Sequence, residues 1–467
     1  LNYPFWDVPG LGGGLLLGLI SIFHVFNSHF AVGGGAFLAV TEQMAYKNND
    51  DRLYGYLKQH SLFFLLVTTV LGVVTGPGIW WSISLVSPSA TATLITQYSL
   101  LWGFEYVVFL VELLTFFVYY YTWNRMPKKR HLQLAWAYFF ISILTLVTIN
   151  GMLTFMLTPG NWIQTRHWAD GYFNPTYWPS NFLRLLIMFG IAGMFALVTS
   201  SRIKDLDFRT YMLRYSAKWL LPVFFLAPLV GFWYFLNIPP QVIETIQTGI
   251  QNSGTGNFSV LARALYLSLI LSGTVLIFAW VGPYLNPKGF SFKASLLFLV
   301  CGLLVTGITE WTREMLRKPY VIYGYMYSNS LPKASVPAVN RQGYFNSALW
   351  ARASLPDNAG TWQRGHVLFR FQCQSCHVQH GYRSMDKLLG GRDYDAIVSL
   401  LTLLRTADDP KNPYHGIMPP LVGSNRELND LAWYLHTYNQ ANMPEPPLEQ
   451  PGQPSPARPT RPIGAGA

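Results

Sequence analysis

The feature that most limits what this chain can fold into is a series of eight apolar windows. A helix needs about 20 residues to cross about 30 Å of hydrocarbon. The windows lie at roughly 13–44, 59–85, 97–122, 132–158, 180–200, 215–237, 259–285 and 291–316. In lipid every backbone N–H and C=O must be satisfied within the protein, so windows of this length read as helices. Composition agrees: 12% of the 467 residues are charged and 51% are hydrophobic, against about 25% charged in a soluble domain. The net charge of +11 does not point to a nucleic-acid partner, because the basic residues are scattered through short loops rather than gathered in one stripe. The first window is long, and its C-terminal turns are expected to protrude. The chain opens on Leu1 rather than Met, so its start is expected to lie upstream or to be processed. No secretory cleavage site is visible, which leaves the first helix as the membrane signal.

The loops set the orientation. Lys47, Arg52 and Lys58 lie between windows 1 and 2, and Arg125, Lys128, Lys129 and Arg130 between 3 and 4. Arg202, Lys204, Arg209 and Arg214 lie between 5 and 6, and Lys288 and Lys293 between 7 and 8. The alternate side offers Arg166 alone. This asymmetry places the N-terminus outside by the positive-inside rule. Eight spans then return the C-terminus to the outside as well.

After residue 324 the character changes. Residues 325–360 are polar, with Pro332, Pro337 and Pro356, and read as a linker. Residues 361–443 read as a small helical domain, and 444–467 as a Pro-rich tail unable to build a core. Such a tail is expected to lie along a partner subunit.

Within the small domain stands FQCQSCH, residues 371–377. Cys-x-x-Cys-His is the attachment signature of a c-type haem: Cys373 and Cys376 for the thioether bonds, His377 for the iron. A chance match or a zinc site is the competing reading. Downstream, HGIMPPLVG (415–423) offers Met418 as second ligand, with His415, His380 and His366 as rivals and a packing methionine as the bland alternative. NRELNDLAWYLHTY (425–438) follows as an amphipathic helix with Leu428, Leu431, Leu435 and Tyr438 on one side. A Met before Pro-Pro and a closing helix is similar to class I cytochrome c. A His/Met pair raises the potential and suits electron transfer. Haem attachment of this kind occurs outside the cytoplasm, in agreement with the loop charges. Cys301, in LLFLVCGLL, reads as a small buried hydrophobe.

Ionisable groups inside spans are expensive and are functional by default. Helix 1 carries His24 and His29, which are about 140° apart around a helix and so cannot face one iron. Helix 3 carries Glu105 and Glu112, nearly two turns apart on one face, a ladder suited to passing protons or to placing one carboxylate on a metal. Glu310, Glu314 and Arg317 share a face at the end of helix 8. A core histidine and a helix-end salt bridge are the bland readings of these groups.

In order and spacing these stretches resemble subunit I of the cytochrome bd oxidase family over roughly residues 15–324. In FHVFNSHFAVGGGAFLAVTEQMAY (23–46), His24 falls at the family's first-helix haem-ligand histidine and Glu42 at the matching distance downstream. GVVTG (72–76) resembles the second-helix motif and FEYVVFLVELLTFFVYYYTWNRM (104–126) the third helix. There Glu112 keeps the family spacing to Trp123, while Glu105 stands one residue nearer than its counterpart. Asn150–Gly151 matches a helix-4 pair. EMLRKPYVIYG (314–324) looks like the family's E-x-x-R-Q-P-W region, which implies Glu314 as a high-spin haem ligand, with Arg317 beside it. The departures are specific. Registers anchored on Asn174–Pro175 or on GMFAL (193–197) put Leu183 where the family has its low-spin haem b histidine. Arg263 matches a family arginine, and Leu265 falls at the low-spin haem b methionine. The long quinol loop and the ninth helix are missing.

The expected fold class is therefore all-α: an eight-helix transmembrane bundle (1–324), like that of bd oxidase subunit I, plus a small extracytoplasmic cytochrome c domain. The resemblance implies haem b or haem d in the bundle, as two high-spin haems held with His24, Glu314 and Arg317, in addition to covalent haem c. The expected function is a bd-like oxygen reductase subunit in which haem c replaces the quinol site as electron entry. Protons would come through Glu105 and Glu112 or helix 1–2 groups such as His60. The alternative is a non-catalytic electron-transfer or structural subunit of a larger respiratory complex, and a quinol-linked reductase is a third reading. Expected partners are a second membrane subunit and an external cytochrome c or other periplasmic donor. The expected location is the bacterial inner membrane. The loop between helices 4 and 5, with His167, reads as a capping loop, with docking of the haem c domain or a further haem as alternatives.

Overall fold

In a computed structural model, residues 3, 6, 8–253 and 259–441 are described; the Pro-rich tail at 444–467 lies outside them. All eight windows are helices: α1 Gly13–Asn48, α2 Asp51–Val86, α3 Pro88–Tyr121, α4 Lys128–Phe155, α5 Tyr177–Ser200, α6 Leu206–Leu236, α7 Ala262–Leu285 and α8 Phe292–Leu316. Each is long and apolar enough to cross a membrane, and the chain is a multi-pass membrane protein.

Several helices start earlier than hydropathy alone suggests, because polar first turns are capped. The Asp50 carboxylate accepts from Arg52 N and Leu53 N, and Asp205 accepts from Phe208 N. Pro88 opens α3, where its missing N–H is no loss. Side-chain oxygens at these positions satisfy donors that helix starts leave free.

Helix α1 is the axis of the bundle. Its Gly33, Gly34 and Gly35 lie against the Met188 backbone of α5, the Phe64 ring of α2 and the Tyr138 ring of α4, with no room for a Cβ at any of them. Small residues of this kind let helices approach closely in lipid. Helix α2 widens into a π turn at Leu66–Leu71. Thr68 and Thr69 hydroxyls donate back to the Phe64 and Leu65 carbonyls. The Asn27 amide of α1, oriented to suit, donates to the Val67 carbonyl and accepts from Gly72 N. A side chain that satisfies freed backbone groups is what allows such a turn inside a span.

The stretch expected as a linker, 325–360, is folded. A small antiparallel hairpin, β1 Tyr320–Ile322 and β2 Met326–Tyr327, interrupts the all-helical expectation at the boundary. Tyr327, Leu331, Val339, Tyr344, Ala348 and Ala351 are buried in one core with residues 367–438. Glu427 ties them down, accepting from Tyr344 N at 2.9 Å and Phe345 N at 3.0 Å. Prolines and polar residues mark the bends of this segment, while its few aromatic and alanine side chains supply the core.

The rest of this unit is built on α9 Thr361–Gln372, α10 Tyr394–Leu404 and α11 Asn425–Ala441. Leu431, Leu435 and Tyr438 of α11 are buried, as the helical spacing requires. Gly365 of α9 lies against the Asp430 carbonyl and Tyr434, so closely that a Cβ has no space. Beside it Arg364 grips Asp430 with two hydrogen bonds of 2.7 and 3.0 Å.

The tail unit sits on one end of the bundle. Tyr382 N donates to Gly10 O at 3.0 Å, and Tyr323 N to Met156 O at 2.8 Å. The Tyr323 hydroxyl reaches Gln241 O, and Asn252 Nδ2 reaches the Asn412 and His415 carbonyls, both from the short helix Pro240–Asn252 after α6. This is the end that carries Arg166. The lysine- and arginine-rich loops lie at the other.

Candidate functional site

Helix α9 ends at Gln372, and the next five residues make one tight turn. His377 N donates to Cys373 O at 3.0 Å, which draws both cysteines and the histidine together. His377 Nδ1 donates to the Arg383 carbonyl at 3.3 Å. A carbonyl only accepts, so the hydrogen is on Nδ1 and Nε2 is left as a free lone pair, the form an iron needs. Burial pushes the imidazole down to about 4, which keeps it neutral. Among the described residues no three His, Cys, Asp or Glu side chains come together as a metal cluster.

Met418 is half-buried, with its backbone N–H held by Tyr414 O. The rival histidines meet different neighbours. His366 stacks on Trp362 and lies against Tyr434. His380 uses one nitrogen with Asp386 and the other with the Tyr438 hydroxyl. His415 Nδ1 bonds the Ala407 carbonyl.

The turn is seated on the bundle. Lys318 Nζ, just past α8, lies 3.5 Å from Cys376 Sγ, and Arg383 donates to Met315 Sδ at 3.1 Å. Burial alone raises the Cys376 thiol, but Lys318, Ser375 and Ser328 outweigh it and hold it below its ordinary value. One turn back along α8 are the ionisable residues. Glu314 pairs with Arg317 at 2.5 Å and with Arg313 at 3.4 Å, and Glu310 pairs with Arg313 at 2.8 Å. Ser180, Arg184, Tyr234, Arg313 and Arg317 line a cavity of about 40 Å³ here.

The histidines of α1 point to different neighbours, as their angular separation requires. His24 Nδ1 is 3.1 Å from the Thr75 hydroxyl of α2, inside GVVTG. His29 donates to the Val25 carbonyl at 2.6 Å and lies within electrostatic reach of Arg184 and Glu310. His29, rather than His24, is thus the α1 histidine that faces a carboxylate of α8. Glu112 is buried and accepts from the Thr145 hydroxyl at 2.8 Å. Glu105 is half-buried and has no hydrogen bond among the described residues. His60 is fully buried, bonded to Thr199 through Nδ1 and enclosed by Phe30, Phe37, Tyr56 and Phe63. His167 is exposed. Its loop caps the bundle, and Arg166 stacks on Trp162 and on Tyr325 of the hairpin.

Sequence reasoning passed over three groups. Arg184 was readable as the lone charge of α5, and Arg313 as a further charge near the end of α8. The third is a fully buried pair, Glu42 with His131 at 2.7 Å, which also takes a hydrogen bond from the Tyr119 hydroxyl at 2.9 Å. Its partners are far apart in sequence, and nothing local to Glu42 points to His131.

The arrangement of the spans decides the comparison with solved structures. The chain has a bd oxidase-like fold. It is similar to the bd oxidase from Geobacillus thermodenitrificans at TM-score 0.58 and 17% identity, over 71% of this chain and 94% of that one. At that identity the likeness establishes the fold. No protein-family model and no curated protein matches the sequence.

Proposed function

We propose that the chain is a membrane-bound electron-transfer haemoprotein, a bd-like oxygen reductase subunit that takes electrons through its own haem c. One observation carries this reading: the CQSCH turn and the loop bearing Met418 both lie at one end of the bundle, the turn against Lys318, Arg383 beyond it against Met315, and the loop against Asn252. An electron carrier in the tail would lie at the end of α8 that presents Glu314 and Arg317.

The tail residues fit haem c. Cys373 and Cys376 would tether haem c, His377 would offer Nε2 with its ring fixed by the Arg383 carbonyl, and Met418 would be the second iron ligand. Residues 325–441 form this cytochrome c-like unit. By the family resemblance, Glu314, Arg317 and His24 would hold haem b or haem d in the bundle. When bound, a His/Met haem supplies one-electron exchange at raised potential, and high-spin haems supply the place for oxygen reduction. Glu112, held by Thr145, and Glu105 carry protons along α3. The tail and both termini face outward from a bacterial inner membrane, where an external cytochrome c donates and a second membrane subunit covers the bundle.

A second reading has its own observation. Leu183 and Leu265 bring hydrocarbon to positions where the resemblance calls for haem ligands, which favours a non-catalytic electron-transfer subunit of a larger respiratory complex.

Haem stoichiometry tests the choice, with acid-acetone extraction separating removable from covalent haem. One covalent and two extractable haems per chain are expected, with extractable haem lost in His24→Ala while haem c stays. Covalent haem alone would overturn the oxygen-reductase reading and leave the second.

A further inference from the structure

The cavity beside α8 has an uneven charge count. Arg184 comes from α5, and Arg313 and Arg317 from the end of α8 and the residue that caps it. Facing them are two carboxylates, Glu310 and Glu314. Both carboxylates are bound to arginines of their own helix, at 2.8 and 2.5 Å. Arg184 makes no hydrogen bond or ion pair among the described residues, although it lies within electrostatic reach of Glu310. The other neighbours do not close the count. His29 donates to a carbonyl, and Tyr234 is a phenol. Arg317 Nε is buried and has no hydrogen-bond partner, while its Nη1 is spent on Met156 Sδ. The set therefore holds three guanidiniums against two carboxylates.

An uncompensated cation inside a membrane bundle is expensive even when half-buried, as Arg184 is, and such a charge persists where it is paired. We infer that Arg184, Arg313 and Arg317 form a binding site for the carboxylate of an anionic ligand. Size agrees. A water needs about 10–15 Å³ of such space, so about 40 Å³ admits a carboxylate head and not a macrocycle. Guanidinium is the side chain best matched to that head, through paired N–H donors. Arg184 is the deciding residue, since it brings the excess charge and holds no other partner. The carboxylate has two possible sources: a propionate of a haem in the bundle, which rests on the proposed function, or a free small carboxylate, which does not.

The test uses the full chain in nanodiscs, wild type against Arg184→Gln, Arg184→Lys and Glu310→Gln, with sodium formate as probe. Two readouts are taken: extractable haem per chain, and the thermal shift produced by formate. If the source is a propionate, Arg184→Gln lowers extractable haem at least about twofold, Arg184→Lys retains most of it, and formate does not shift the wild type. If the source is a free carboxylate, formate stabilises the wild type. Arg184→Gln then weakens it roughly tenfold or more, the equivalent of one lost charge-assisted hydrogen bond. Glu310→Gln, which increases the excess charge, tightens it. A merely structural arginine predicts the same sign for Arg184→Gln and Glu310→Gln. That result, or no response in either readout, overturns the inference. Absence of extractable haem in the wild type together with a formate shift would remove the oxygen-reductase reading and keep the anion site. Extractable haem that is indifferent to Arg184 with no formate shift would do the reverse.

Discussion

The two ends of the bundle handle buried charge in opposite ways. At the end of the basic loops, Glu42 is fully buried and every bond closes inside the protein. Its Oε1 is 2.7 Å from His131 Nδ1, and its Oε2 accepts from the Tyr119 hydroxyl at 2.9 Å. His131 Nε2 faces the Tyr119 carbonyl at 2.9 Å. That carbonyl only accepts, so Nε2 carries a hydrogen, and the carboxylate and Nδ1 must share a single proton between them. No charge is left over. At the tail end, Arg184 has no bonded partner among the described residues, Arg317 Nε is unmatched, and the Glu314 side chain is 45% exposed. The comparison teaches that the same ingredients make a helix tie when the count closes and a ligand site when it does not.

The largest effect should follow from opening the closed end. Removing one partner of a buried pair leaves the other uncompensated, at a cost of about 3–5 kcal/mol. Glu42→Ala is expected to destabilise the chain by that order in a denaturant titration, and His131→Ala similarly, with the double variant costing less than the sum. Extractable haem in the folded fraction should not change. A haem loss in Glu42→Ala as large as that in Arg184→Gln would erase the distinction between the two ends.

Much of this contrast was hidden from the sequence for physical reasons. The eight spans were legible because lipid demands about 20 apolar residues in one run, and the basic loops were legible because charge resists transfer. The CQSCH turn is local and reads itself. The Glu42–His131 tie is not local: it joins α1 to α4, and although the family resemblance singled out Glu42, nothing near it in sequence names His131 as its partner. The core of 325–360 was missed because Tyr327, Tyr344, Ala348 and Ala351 sit in elements of a few residues, too short for any period to show. Hydropathy placed Glu314 and Arg317 correctly at the end of α8, but could not count Arg184, on another helix, into the same set.

A smaller effect separates the paired histidine from an unpaired one. His366 in the tail unit is stacked by Trp362 and faces Tyr434, with no carboxylate on it. Burial, helped by Arg370, pushes it down to about 4. Its unfolded value is about 6.5, so between those values the unfolded state binds more protons. Stability therefore rises with pH through that window and is flat above it. The tail unit is expected to lose stability as pH falls from about 6.5 toward 4, and His366→Gln should flatten that slope. Circular dichroism melts of the full chain across the window check it; an unchanged slope in the variant would place the acid sensitivity elsewhere.

The smallest effect is expected at the same end as the Glu42 tie, where Lys128 lies 3.0 Å from Asp51. The geometry is as short as in many buried pairs, but the side chains are 51% and 87% exposed. Water already solvates both charges, so separating them strands neither. Lys128 also lies 4.4 Å from the Tyr54 ring centroid, a contact worth about 0.5–1 kcal/mol at exposed sites. Lys128→Ala should therefore cost under about 1 kcal/mol, and Asp51→Ala less, with the difference between them shrinking as salt is added. Both ion pairs join the α1–α2 region to the start of α4, so position in the fold is nearly held constant. What differs is enclosure. Should Lys128→Ala cost as much as Glu42→Ala in the same titration, closure of the count could not be what separates a tie from a site, and the contrast between the two ends would have to rest on position alone.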